Sequence, residues 1–376
     1  MTAPLHTLTA IQVLGLLKNN TLTVEEYACA LLNHIRERDD TVKSWAYLDA
    51  TLVLNQARLL DQVPQDQRGP LHGLAIGIKD IMNTKDMPTQ FGSSIYQLHQ
   101  PGFDASAVVI LRAAGALIFG KTTTTEFTVT NSGPNTTNPH DPKRTPGGSS
   151  CGSAAAVSGG SIIRPASFTG IFAMKPTHNA ISTEGQKVFA PTFDTFGFFA
   201  RSLEDLQLLA DVFGLIDDGP PQELLPEQLN VALIKTPMWG LAGPGTIQAI
   251  DEAVKALASC GAHVEEVSFP SEAAAAFLRE YRVNKTNLAP EICDIMENAS
   301  NYTKQELVIQ ASDTYAVMRQ TINNLAKKYS VILTPSVIDE APLGLGDMGS
   351  AAFNTLWTAS RMMCEALVKE NFEEGI

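Results

Sequence analysis

The sequence predicts an α/β protein, a mixed and mainly parallel sheet covered by helices, and three observations predict it. Short apolar runs of strand length alternate with stretches of helical period through most of the chain. The strand candidates are mostly apolar, as buried strands are. With 376 residues of which 44% are apolar, the chain can bury a large core, and no internal repeat or low-complexity tract points to a solenoid. The expected organisation is a single domain over residues 1–376. The acidic, proline-rich stretch Asp217 to Pro226 is its candidate surface linker.

The elements follow in order. A helical stretch from Ala10 to Lys18 comes first. Thr23-Val-Glu-Glu26 is then a capping box, in which the threonine hydroxyl and the glutamate satisfy each other's free N–H groups, so a second helix opens here and runs to about Arg38. Apolar residues recur with helical period over 50 to 62, 105 to 114, 202 to 213 and 246 to 259. Runs at 74 to 78, 116 to 119, 171 to 174, 230 to 234 and 330 to 334 read as buried strands.

Composition excludes several function classes. A net charge of −13 with no basic cluster disfavours nucleic acid as a partner. No apolar run is long enough to span a bilayer, and the N-terminus lacks a basic stretch followed by an apolar core, so a cytoplasmic location without a membrane span is expected. The cysteines at 29, 151, 260, 293 and 364 form no CxxC pair and no metal-ligand spacing, which suits a reducing compartment.

Chemistry concentrates in Pro146 to Met174, PGGSSCGSAAAVSGGSIIRPASFTGIFAM. Small residues at this density build a core poorly but let backbone N–H groups approach a reacting atom closely. Gly159-Gly160-Ser161 can turn several N–H groups toward one point, with the Ser161 hydroxyl at its edge. A serine needs a base, and none of the seven histidines stands in a recognisable pattern with an acid. Lys79 is the candidate instead. It ends the apolar run from Leu74, and a lysine delivered by a buried strand can lose its charge to desolvation; a solvated lysine at a strand end is the plainer alternative. Cys151 as a thiol nucleophile is the other local option, against the simpler role of a small residue in a tight turn.

The text GIKD at 77 to 80, GGSSCGSAAAV at 147 to 157 and GGSIIRPASFTGIFAMKPT at 159 to 177 resembles the amidase signature family of serine hydrolases. Flanking segments agree, among them DASAVVILRAAGALIFGKTTTTEF and FDTFGFFARSLEDLQLLADVF, so the resemblance runs from about residue 8 to about residue 359. It implies a sheet with helices on both faces and an amidase cleaving a small-molecule carboxylic amide to acid and ammonia or amine, without metal or organic cofactor. It also implies a relay of Lys79, Ser149 after a cis peptide bond, and nucleophilic Ser161. Ser158, Gly159 and Gly160 would hold the oxyanion, and Thr125, in the run Thr122 to Thr125, would line the substrate pocket. Arg164 would pair with nearby acidic or polar groups, and Asp194 would be structural.

Two breaks interrupt the resemblance. Ser149 and Ser161 lie twelve positions apart, whereas the family places a buried strand between its two serines. After Ala359 the text passes directly to a segment, Ser360 to Ile376, that resembles the family's final helix. An impaired or truncated, non-catalytic family member is therefore the alternative reading, and the amidase subunit of a transamidation complex is a minor one. Homodimerisation stays open. The formal G-x-S-x-G match at Gly148 to Gly152 would make Ser150 the nucleophile of an α/β-hydrolase, but that elbow needs a preceding strand, and Asn138 to Pro146 carries three prolines.

Overall fold

The computed structural model describes residues 3–156, 162–215, 224–268 and 304–366, with side chains from Tyr315 onward in the last stretch. The chain divides into two compact units. One comprises Met1–Ile216, Ala341–Gly349 and Met363–Ile376, the other Asp217–Glu340 and Ser350–Met362.

In the first unit, helices α1 (Ala10–Lys18) and α2 (Val24–Val42) both start from capping boxes, at Thr9 with Gln12 and at Thr23 with Glu26. Remote carboxylates complete both N-termini: Asp205 accepts from the N–H groups of Ala10 and Ile11 at 2.9 and 3.0 Å, and Asp61 from those of Val24 and Glu25 at 2.7 and 3.0 Å. Helices α3 (Ala50–Asp61) and α4 (Ser106–Ala113) pack with them around the first sheet.

That sheet has the order β1 (Trp45–Tyr47), β3 (Leu117–Thr122), β2 (Ala75–Lys79). β3 pairs parallel with β2 and antiparallel with β1, and all six of its residues are buried, the polar Lys121 and Thr122 among them. Gly120 is forced by proximity: a Cβ there would lie 2.8 Å from the Trp45 ring and the Tyr47 carbonyl. The second sheet is antiparallel, in the order β5 (Phe198–Ala200), β4 (Phe172–Lys175), β9 (Cys364–Ala366). Three short helices complete this unit: α5 (Cys151–Ala156), α6 (Ile163–Thr169), closed by Gly170 in the left-handed region, and α7 (Leu203–Val212), capped by Ser202.

The second unit holds a parallel sheet in the order β7 (His263–Glu266), β6 (Asn230–Leu233), β8 (Val331–Leu333). Helices α8 (Pro244–Ser259), α9 (Lys304–Ala326) and α10 (Ala352–Ser360) accompany it, with Met318, Ile322 and Phe353 fully buried.

The α/β class is as the sequence predicts. The described strands form three separate three-stranded sheets, and half of the ladders are parallel. The segment after Ser360, expected as helix, begins as strand β9, because α10 ends with Arg361 in the left-handed region and Cys364–Ala366 completes the open side of β4. Of the expected linker, residues 217–223 lie outside the described residues, and Leu224 and Leu225 are exposed. Among the described residues no helix is long and apolar enough to cross a membrane.

Candidate active site

The end of β2 delivers Lys79 into the protein. Its side chain is 1% exposed, and Nζ lies 2.8 Å from the Ser149 hydroxyl, seventy residues away in sequence. Burial pushes the lysine down from its ordinary 10.5 to about 7; the Arg164 guanidinium acts in the same direction, and the Asp194 carboxylate opposes it. A lysine in this state is substantially neutral near neutral pH and can accept the serine proton.

Neighbouring Lys121 shows the contrast. Its Nζ meets the Met82 and Pro88 carbonyls and the Thr89 hydroxyl at 2.8, 3.2 and 2.7 Å, with an Asp80 carboxylate oxygen at 3.4 Å. Burial brings it down to about 8, against the pull of Asp80. Lys121 is thus a satisfied cation that ties the residues after β2 to β3, and Lys79 is the lysine that faces a hydroxyl.

Ser149 follows a cis peptide bond from Gly148. The loop that carries it is held on several sides. The Ser149 carbonyl accepts from the Thr125 N–H at 3.1 Å, and the Gly148 carbonyl accepts from Arg164 Nε at 3.1 Å. Arg164 also donates to the Gly349 carbonyl, so this side chain joins the serine loop to the segment Ala341–Gly349. That segment runs alongside the loop, receiving the Thr145 N–H on Pro342 at 3.1 Å and giving the Gly344 N–H to Lys143 at 2.7 Å. Met348, fully buried, fills the space beside it: its sulfur lies 3.4 Å from the Thr145 hydroxyl and 3.6 Å from the Cys151 sulfur, and a Cβ on Gly148 would come within 2.9 Å of its Cγ.

The small residues after Ser149 have a visible purpose. Gly152 approaches the end of β3 so closely that a Cβ would lie 2.1 Å from the Ser44 carbonyl oxygen and 2.4 Å from the Thr123 nitrogen. Ser153 and Thr122 share a hydroxyl hydrogen bond of 2.6 Å, stitching α5 to β3. Thr122, Thr123 and Thr124 therefore serve as strand-end and loop anchors. Thr125 and Ser150 differ, since each is buried with a hydroxyl that has no hydrogen-bond partner among the described residues.

The structure thus brings Lys79, Ser149 and Thr125 together. Ser158, Gly159, Gly160 and Ser161 lie outside the described residues. Asp194 takes a structural part, accepting the N–H groups of Phe189 and Ala190 at 2.6 and 3.0 Å. The rival nucleophiles fare poorly. Ser150 is fully buried and no strand precedes it between β3 and α5, and burial pushes the Cys151 thiol up to about 11. The ring nitrogens of His140 and His178 engage the carbonyls of Thr169 and Pro191. Among the described residues no group of histidine, cysteine and carboxylate side chains could hold a metal ion. Sequence reasoning missed Met348 and the role of Ala341–Gly349, for which no local signal exists.

Comparison with known proteins finds relatives along most of the chain. The profile of the amidase family matches residues 26–287. The chain is 37% identical over 274 residues to a glutamyl-tRNA(Gln) amidotransferase subunit from Thermus thermophilus, covering 65% of this chain and 57% of that protein. With the corresponding protein from Thermobifida fusca it shares 30% identity over 399 aligned residues, covering 97% of this chain and 78% of the relative. That alignment is longer than the chain itself, so the relative carries residues with no counterpart here. The chain spans somewhat less than two thirds of the length of the first three curated relatives it matches. Among solved structures, one described as an amidase superposes with a TM-score of 0.79 at 26% identity, covering 96% of this chain and 92% of the other. A fatty acid amide hydrolase superposes equally well, with a TM-score of 0.79 at 21% identity, over 97% of this chain and 74% of its own, which speaks to the fold alone. The extent of these matches leads to one conclusion: the chain belongs to the amidase signature family.

Proposed function

We infer that this chain is built to hydrolyse carboxylic amides through an acyl-enzyme on Ser161. The observation that carries the reading is the buried contact of Lys79 Nζ with the Ser149 hydroxyl at 2.8 Å, by a lysine that burial brings to about 7. Neutral Lys79 takes the Ser149 proton, Ser149 takes that of Ser161, and the Ser161 oxygen forms a bond to the amide carbon. Backbone N–H groups of Ser158, Gly159, Gly160 and Ser161 receive the oxyanion. The protons return by the same route to the leaving nitrogen as the C–N bond breaks. Water then attacks the ester, releasing the acid and restoring Ser161. Thr125, with its unpartnered hydroxyl beside Ser149, is the candidate contact for the substrate amide.

Two observations support narrower readings. The relatives named as amidotransferase subunits support a role in releasing ammonia for transfer within a complex. The relative's unmatched residues and the short spacing of Ser149 and Ser161 support an impaired catalyst. Ammonia or amine release from glutamine, a peptide amide, an aryl acylamide and a fatty amide, measured on the parent chain and on Ser161→Ala, separates them. Turnover by the parent and none by the variant is expected. Release from glutamine alone favours the amidotransferase role, and equal rates in both proteins, or none with any substrate from a cooperatively folded parent, would overturn the hydrolase reading.

A further inference from the structure

The segment Pro4–Leu8, ahead of α1, packs on α2 through a contact that can take up protons. Leu5 and Leu8 are partly buried against the core of the first unit. Between them His6 stacks on His34 of α2, with ring centroids 3.8 Å apart and planes 4° from parallel. The Arg201 guanidinium donates to the His6 carbonyl. Beyond this segment the chain has its own anchors, the capping box at Thr9 and the Asp205 carboxylate on the N–H groups of Ala10 and Ile11, so Thr9 is its natural boundary.

The charges that act on the stack are mostly positive. Burial pushes His34 below its ordinary 6.5, and His6, Arg38 and Arg201 push the same way, against Glu37. Tyr27, Asp39, His140 and Asp205 border the same cavity, and each has another commitment. Asp39 accepts the Ser44 N–H and hydroxyl, both at 2.7 Å, Asp205 holds α1, the His140 ring engages the Thr169 carbonyl, and burial keeps the Tyr27 phenol up at about 12. Two neutral imidazoles stack as any aromatic pair does, whereas two imidazolium ions 3.8 Å apart repel, and Arg38 and Arg201 add to that repulsion.

We propose that His6 and His34 form an acid-sensitive latch, which holds the segment Pro4–Leu8 on α2 while both rings are neutral and releases it, up to Thr9, when they take up protons. The sign follows from His34. A group that titrates lower when docked binds more protons when released, so docking is fully favoured above about pH 6.5 and loses ground as pH falls below it. Release frees the His6 carbonyl from Arg201 and uncovers Leu5 and Leu8, while α1 stays in place through Asp205. The latch works whether or not the chain hydrolyses amides.

The test follows subtilisin cleavage within residues 4–8 of the full chain from pH 7.5 to 5.5 by mass spectrometry. Each rate is divided by that of a synthetic peptide of residues 3–12 at the same pH, so that the ratio reports the released population. The ratio is expected to rise about three- to tenfold in the parent, since one proton gives at most about tenfold per pH unit below 6.5. His34→Phe, which keeps a ring in the stack, and His34→Gln both lack the titrating group, and a thermal melt checks that they fold. In each the ratio is expected to change by less than about twofold. Arg38→Gln removes a repelling cation and is expected to weaken the rise without abolishing it. A ratio that does not change with pH in the parent, or a rise that a folded His34 variant keeps in full, would overturn the latch.

Discussion

Replacing Lys79 by methionine, which keeps the length of the side chain and cannot carry charge, turns the buried lysine into a measurable slope. Lys79 has an ordinary value of 10.5 in the unfolded chain and about 7 in the folded one, set by burial. Between these values the unfolded state binds one more proton than the folded state, so stability rises with pH. The slope is about 1.4 kcal/mol per pH unit for one group, or about 3 kcal/mol between roughly pH 7 and 9.5. Below about pH 7 the lysine is protonated in both states and contributes a constant. Other groups titrate in the same interval, including Lys121 at about 8, and the difference between parent and Lys79→Met removes them. Losing the hydrogen bond to Ser149 shifts that difference by a constant. Urea unfolding of both proteins from about pH 6 to 9.5 is the assay. Lys79→Met is expected to compare most favourably with the parent at or below pH 7 and to lose about 3 kcal/mol of that standing by pH 9.5. A pH-independent difference, or one of opposite sign, would refute the assignment of a desolvated lysine.

Three further outcomes follow from the packing. Met348→Ala leaves a void beside Gly148, Thr145 and Cys151 and is expected to cost about 2–5 kcal/mol in denaturant unfolding, whereas Met348→Leu stays below about 1.5 kcal/mol. Asp80→Asn removes the carboxylate facing buried Lys121 and is expected to cost about 3 kcal/mol, read from the urea midpoint; a change below about 1 kcal/mol would show that the three other contacts of Lys121 suffice. Asp205→Ala frees the N–H groups of Ala10 and Ile11 and is expected to cost about 1–3 kcal/mol, with faster hydrogen exchange in the first turn of α1 as its local signature.

What the sequence made legible was set by how local the signal is. The capping box at Thr23 and the apolar period placed α2, and Ala10 to Lys18 became a helix with those bounds. The apolar runs at 74 to 78 and 116 to 119 became β2 and β3, each extended to the polar residues that the strands deliver, Lys79 and Thr122. Strands β1, β5 and β9 were invisible because three residues carry no period, and β7, HVEE, is mostly exposed and charged. Helices α5 and α6 were hidden because CGSAAA and IRPASFT have small residues where a periodic helix has large ones, and the close approach of Gly152 to β3 is a tertiary demand. The pairing of Lys79 with Ser149 was legible through the family resemblance alone. The hold of Met348 on the serine loop had no sequence signal, since the two are far apart in the chain, and the resemblance marked Arg164 as a pairing residue without naming its carbonyl partners, Gly148 and Gly349.

Whether Lys79 and Ser149 activate Ser161 is tested most directly by covalent labelling with a fluorophosphonate, located by mass spectrometry. The labelling rate is expected to rise with pH through about 7 as Lys79 loses its proton, with the phosphonate on Ser161. Ser149→Ala and Lys79→Ala should each slow it steeply. Label on another serine, or a rate on Ser161 that neither substitution changes, would contradict the relay.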